Sequence, residues 1–382
     1  DWRWDARRVA GRSDSVRRVR SIAYLALGAT LSLAVTACSP NGSVAGERKT
    51  NAPIALQLVP SETALETAPA SAGIAPTVSS TGEVVHRVRL ASGRSIALFD
   101  SLGRLVQEFG LRGQGPGEVM SPMPLRITDS SVTVFDLQAM RLTEWRRDGS
   151  LIQVWPLTVP VRPVASVGTR WLALQNAPGG GIPILFDAAD GGATAQPLAE
   201  SPFLDSLLAG TPGGPPTAVL GSWGNGVIVG DGMAYRIGFF DSTGTLVRRV
   251  ERNLGDNLRT EAQIATEIET ARAAAVSAGK PLDAAAVGKL EAELRTPQPW
   301  FWHVTPLQVD GAGRLWVVGQ TRDSVFADVF DTAGGVERHW LDCPGFSDGW
   351  SVNAGWLALV CAAPEEAEYA AVVKRYRIVP RQ

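Results

Sequence analysis

The stretch Ala97-Leu98-Phe99-Asp100-Ser101-Leu102-Gly103-Arg104-Leu105-Val106 holds an apolar run, an aromatic, a polar turn closing on Gly, and a second apolar run. The phrase returns at Gly238-Phe239-Phe240-Asp241-Ser242-Thr243-Gly244-Thr245-Leu246-Val247 and at Asp328-Val329-Phe330-Asp331-Thr332-Ala333-Gly334-Gly335-Val336. Looser copies sit at Trp145 to Gly149 and Phe186 to Gly191. Asp bonds its own backbone in a turn and Gly takes the positive φ that other residues resist, so each phrase reads as a β-hairpin. With the aromatic as marker, the copies fall at Phe99, Trp145, Phe186, Phe240 and Phe330, in steps of 46, 41, 54 and 90. A period of about 40 to 50 residues marks a solenoid or propeller. The last step is twice too long, and one insert accounts for the excess.

A further strand-like run accompanies each unit: Glu83 to Leu90, Ser131 to Phe135, Arg170 to Leu174, Gly226 to Val229, Arg314 to Val318 and Gly355 to Val360. That makes six units. The sixth has an outer strand at Tyr376 to Val379 but no partner after it. An N-terminal strand, Ile54 to Val59, fits that gap and would close the ring, which removes exposed sheet edges. The expected fold is all-β: a six-bladed β-propeller of four-stranded blades over residues 81–382, carrying a helical hairpin at 260–295. Forty Gly and 25 Pro supply turns, 12 Trp supply flat packing surfaces, and charged residues are 19% of the chain, too few for a disordered or nucleic-acid-binding protein.

The insert has its own signals. Thr260-Glu261-Ala262-Gln263 fits a capping box, Gly279 and Pro281 stop a first helix, and Asp283 caps a second. Ile264, Ile268, Ala271 and Ala275 make one apolar stripe, and Val287, Leu290 and Leu294 another. The hairpin is expected to pack on the propeller, as a decoration or as a lid. Trp300, Phe301, Trp302 and His303 follow it. Such a group either stacks a sugar or peptide or packs in the core.

The N-terminus reads as an address. Arg17, Arg18 and Arg20 precede an apolar run from Ile22 to Val35, which ends in Val35-Thr36-Ala37-Cys38. A basic start, a short apolar run and small residues before the cleavage point describe a secretory signal. Residue 1 is Asp, and a start at Val16 would leave a short basic n-region. The Cys resembles that of the bacterial lipobox, which implies lipidation at Cys38 and an anchor in a membrane. Ser39 in place of Asp favours, by the same resemblance, an outer membrane. Residues 1–37 hold seven Arg and three Asp, so their removal takes the formal charge from −2 to −6. A mildly acidic protein has no electrostatic reason to bind nucleic acid. Residues 38–80, rich in Ala, Pro, Ser and Thr, read as a flexible tether. Cys343 and Cys361 lie at the ends of neighbouring strands, and an extracytoplasmic compartment favours a disulfide between them over two free thiols.

The segment Gly113-Gln114-Gly115-Pro116-Gly117-Glu118, followed by Pro122 and Pro124, resembles the bacterial six-bladed β-propeller lipoproteins, relatives of the NHL-repeat propellers. Asp310-Gly311-Ala312-Gly313-Arg314-Leu315-Trp316-Val317 resembles the blade start of the same family. The resemblance covers about residues 83–380 and departs at Val119, where an aromatic is usual. The Gly-rich segment lacks the Lys and Ser or Thr of a P-loop and the spacing of a dinucleotide fingerprint, so it reads as an inter-blade turn tied by Glu118.

No catalytic motif stands out. The histidines, His86, His303 and His339, have no metal-ligand spacing, and no Gly-x-Ser-x-Gly elbow is present. Two readings follow. One is a monomeric, cofactor-free binding or scaffold module for a protein, peptide or glycan, with Trp300, Trp302, His303 and Glu118 as ligand-binding candidates. The other is a metal-dependent hydrolase or lyase, lactonase-like or NHL-lyase-like, with a divalent metal at the channel mouth. Such a metal draws ligands from several blades and leaves no local motif; Glu118, Asp136, Asp231, Asp310 and His303 are the candidates.

Overall fold

A computed structural model describes residues 56–61, 74–177, 180–198, 202–208, 218–301, 307–321, 324–362 and 371–381, less positions 89, 91, 345, 347 and 348. The signal segment and Cys38 lie outside the described residues.

The first strand, β1 (Leu56–Pro60), finds its partner at the far end of the chain. Then follow β2 (Thr77–Val78), β3 (Val84–Arg87), β4 (Arg94–Phe99) and β5 (Leu105–Leu111), which form one sheet in chain order. The next sheet holds β6 (Pro122–Ile127), β7 (Ser131–Asp136), β8 (Arg141–Arg146) and β9 (Leu151–Pro156). A third holds β10 (Val161–Val167), β11 (Arg170–Ala177), β12 (Gly180–Phe186) and β13 (Gln196–Pro197), with the short helix α1 (Pro202–Leu208) after it.

After α1 come β14 (Ala218–Trp223), β15 (Gly226–Asp231), β16 (Arg236–Phe240) and β17 (Leu246–Glu251), then helices α2 (Glu261–Ser277) and α3 (Ala284–Leu294). The chain continues through β18 (Leu307–Val309), β19 (Leu315–Gln320), β20 (Val325–Phe330) and β21 (Val336–Leu341). These two strand groups form one sheet of eight, ordered β17-β16-β15-β14-β18-β19-β20-β21, where separate blades were expected. The junction is a parallel bridge, Gly221 to Leu307 and Ser222 to Gln308. Gly221 is the cause: any Cβ there would collide with the Leu307 carbonyl, so only Gly lets the two backbones meet. The last sheet contains β22 (Trp350–Asn353), β23 (Trp356–Ala362) and β24 (Ala371–Pro380), with β1 antiparallel on its outer edge.

The hydrophobic core lies between consecutive sheets. Val85, Ile96 and Leu98 pack on Val132, Val134 and Trp145 across one junction, and Phe135 and Leu142 on Trp171 and Phe186 across the next. Leu172 and Leu185 meet Val227 and Phe240; Ile228 and Ile237 meet Val317 and Phe326; Trp316 and Val329 meet Leu357 and Tyr376. Val78 and Val84 then pack on Ala358, Val360 and Val373, which joins first sheet to last. Sheets packed face to face in a closed circle, each running from an inner to an outer strand, make a β-propeller.

The sequence phrases become turns, and the three clearest copies share one hydrogen-bond pattern. In three of them the Asp carboxylate accepts two backbone N–H groups, from Leu102 and Arg104 at Asp100, Thr243 and Thr245 at Asp241, and Ala333 and Gly335 at Asp331. Gly103, Gly244 and Gly334 hold φ of 82°, 89° and 94°, the left-handed region where a Cβ would be strained. The capping box at Thr260 forms, with Gln263 N donating to Thr260 Oγ1 and Thr260 N to Gln263 Oε1. Helix packing differs from expectation: Ile264, Ile268, Val287, Leu290 and Leu294 close on one another, and no strand residue joins that cluster. Two short stripes satisfy each other, so none is left over for the sheets.

Candidate functional site

The first strands of the six successive strand groups, β2, β6, β10, β14, β18 and β22, wall a cavity of about 300 Å³ on the propeller axis. Their sequences explain the position. Each is the innermost strand, with one edge toward the axis, and Pro122, Pro124 and Pro163 sit in two of them. Pro lacks an N–H and is tolerated where no ladder bond is needed. β6 and β10 also carry matching bulges, one between Pro124 and Arg126, the other between Pro163 and Ala165. The tether expected to reach residue 80 therefore ends earlier, since Ile74 to Val78 line this wall.

Several polar groups of the wall are engaged. Gln308 Oε1 accepts from Val352 N at 2.8 Å, Ser351 Oγ accepts from Val78 N at 3.0 Å, and Asn353 Nδ2 donates to Val78 O at 3.3 Å. These bonds stitch neighbouring first strands together. The two arginines differ. Arg126 has one Nη at 3.5 Å from Glu144 Oε1 and stands 5.4 Å over the Trp171 ring. The Arg162 side chain makes no hydrogen bond or ion pair with any described residue; its Nε is buried without a partner, and burial lowers its guanidinium pKa. Among the described residues, no Asp or Glu lines the cavity. Sequence reasoning missed both arginines. The available signal was position: each precedes an apolar second strand by a few residues and so belongs to the strand at the axis.

The acidic candidates are used elsewhere. Asp136 accepts four backbone N–H groups, from Met120, Ser121, Gln138 and Ala139. Asp231 accepts from Met233 N and Ala234 N and pairs with Arg236 at 2.8 Å. Asp310 accepts from Ala312 N, Arg314 N, Arg314 Nε and Trp316 Nε1. Glu118 Oε2 accepts from Gly115 N at 2.7 Å, inside the Gly-rich turn. Among the described residues no three His, Cys, Asp or Glu side chains gather into a metal-sized group.

Trp300 is 9% exposed, edge-on to Phe326, and its carbonyl lies where a Cβ on Gly319 would sit. It packs between strands and borders a shallow cleft with Met233, Arg252 and Leu254. Trp302 and His303 lie outside the described residues. Cys343 and Cys361 form a disulfide, with Cα atoms 5.1 Å apart. No local motif announced Asp328, which is fully buried and accepts from Tyr235 Oη (2.5 Å), Arg252 Nη1 (2.5 Å) and Arg338 Nε (2.6 Å).

No family model and no curated protein matches the sequence. Among solved structures, the chain is similar to a DUF4221-family member from Bacteroides vulgatus, at 9% identity and a TM-score of 0.51, over 86% of this chain and 100% of that one. It is also similar to a Bacteroides fragilis protein whose name marks it as a candidate exported protein, at 11% identity and TM-score 0.49, over 87% and 98% of the two chains. A virginiamycin B lyase from Staphylococcus aureus matches at 13% identity and TM-score 0.39, over 86% and 88%. Likeness at these identities concerns the fold: the chain is a β-propeller. Among the described residues no helix is long and apolar enough to cross a membrane.

Proposed function

We propose that this protein is an extracytoplasmic six-bladed propeller lipoprotein, anchored through Cys38, that acts by binding a protein, peptide or glycan and not by covalent chemistry. The blade count is supported by the eight-stranded sheet, which divides into two antiparallel groups of four meeting only at a two-residue parallel bridge between their first strands. The basic start, apolar run and Val35-Thr36-Ala37-Cys38 support the anchor. One observation carries the binding reading: among the described residues the axial wall offers Arg, Ser, Asn, Gln and aliphatic side chains but no carboxylate, while Asp136, Asp231, Asp310 and Glu118 are taken up by backbone amides and arginines. A cation needs oxygen or imidazole ligands, and general acid–base catalysis needs a titratable group in reach of the substrate. The reading puts capture at the axis in preference to Trp300, whose ring is spent on packing.

The test is metal analysis of the purified protein, paired with peptide and glycan arrays run with and without EDTA. Array binding that EDTA leaves unchanged is the expected result. A stoichiometric divalent metal together with EDTA-sensitive turnover of a lactone or ester would replace this reading with the enzyme one. For the anchor, Cys38→Ser should move the protein from the membrane to the soluble fraction; unchanged fractionation would remove the lipid from the account.

A further inference from the structure

Arg162 is a cost to the fold as it stands. Arg162 is half-buried, and a guanidinium partly taken out of water without an acceptor loses hydration with no bond in return. Burial depresses its pKa, no described carboxylate offsets this, and its Nε has no partner. The repeat does not require Arg there. Arg162 directly precedes the Pro at the bulge of β10, and the matching residue of β6, before Pro124 and its bulge, is Met123. An apolar side chain thus serves the same place in the neighbouring sheet. Arg126, whose charge is partly met by Glu144, lines the same cavity, and among the described residues no Asp or Glu does. The axis is therefore a positive pocket in a chain of formal charge −2, and low-dielectric walls concentrate such a field. Met123, Pro124, Pro163 and Leu307 give the lining apolar surface beside its polar side chains. A volume of about 300 Å³ suits a small molecule.

We propose that the axial cavity is a binding site for a small organic anion, whose carboxylate or phosphate is received by the Arg162 fork while its apolar part rests on Met123 and the prolines. The planar fork matches both oxyanions in a two-bond geometry, which an ammonium does not reproduce. This goes beyond the binding reading above, adding a small-molecule ligand to it, and rests on its placement of capture at the axis.

The experiment uses the full chain in detergent, titrated calorimetrically with inorganic phosphate and, separately, with benzoate, at ionic strength held constant with sodium chloride. Saturable binding of at least one probe is expected, and which one responds distinguishes a phosphate from a carboxylate ligand. Arg162→Met should weaken it about 30-fold or more, the loss that follows removal of one partner of a buried charge pair. Arg162→Lys should fall between the two. Without ligand, Arg162→Met should melt at or above the unsubstituted protein, because an uncompensated charge has gone. Equal binding by the protein and Arg162→Met, no response beyond chloride with either probe, or a much lower melting temperature in Arg162→Met would each overturn the proposal. EDTA-sensitive turnover would remove the binding-only reading while leaving Arg162-dependent anion binding intact. Conversely, array binding that survives Arg162→Met would retain that reading and reject the anion site.

Discussion

Asp328 and His86 show what a single buried side chain costs and contributes here. Asp328 sits on β20 and ties Tyr235 and Arg252, from the preceding strand group, to Arg338 on β21. Arg338 also stacks on Phe326, 3.9 Å from the ring centre. Burial, then the Asp328 charge, raises the Tyr235 pKa well above its usual value, so the phenol stays a donor. Asp328→Ala should cost about 3–5 kcal/mol in a denaturant melt, because two arginines and a phenol lose their common acceptor. His86 is 1% exposed, and neither ring nitrogen has a partner. Burial, followed by the Arg87 charge, lowers its pKa to about 3. The fold therefore holds it neutral, while the unfolded chain takes a proton below about pH 6.5. Stability contributed by the neutral ring is complete above that pH and is lost as pH falls toward 3, by about 1.4 kcal/mol per pH unit. His86→Leu should flatten this part of the acid-denaturation curve relative to the unsubstituted protein; parallel curves would show that the ring does not titrate this way. Neither role could be seen in the sequence, since burial and the identity of cross-sheet neighbours depend on the assembled ring.

At the scale of elements, turns and caps were legible because their chemistry is local. The Asp carboxylate and positive-φ Gly at 100–103, 241–244 and 331–334 use residues at most four apart. Thr260 with Gln263, and Asp283 with Ala286 N, behave likewise. The innermost strands were harder to see, being short or interrupted by Pro, and α1 gave only Pro202 at its first position as a signal. The α2–α3 hairpin holds its own apolar cluster, while its base is tied to the ring by Asn257 Nδ2, which donates to Pro299 O and Gln320 O. Replacing residues 261–295 with a short Gly-Ser linker should then leave the propeller folded, with stability changed by about 1 kcal/mol or less. A collapse of the thermal transition would mean that the hairpin supports the ring. Asn257→Ala should cost more than that deletion, because two part-buried carbonyls lose their donor.

The whole molecule depends on closure. β1 pairs with β24 over Leu56 to Pro60, so the outer strand of the last sheet comes from the start of the chain. Arg375 reinforces the junction by donating to the carbonyls of Gly82, Asp100 and Ser101 in the first sheet. A chain beginning at residue 61 should lose at least about 2–5 kcal/mol, the cost of emptying a buried site such as that of Leu56. It should also self-associate on size exclusion, because residues 376–380 of β24 become a free sheet edge. A monodisperse, equally stable truncated chain would contradict closure by this strand. Repeat spacing, turn chemistry and the unpaired last unit, read together along the chain, were enough for the β-propeller and for an N-terminal strand at the open edge. They rest on patterns a few residues long, repeated often enough to reinforce one another. Assembly alone decided the fusion of two strand groups at Gly221, the Asp328 network and the exposure of Arg162 to the axial cavity. Each of these arises from residues far apart in the chain that meet only when the circle closes.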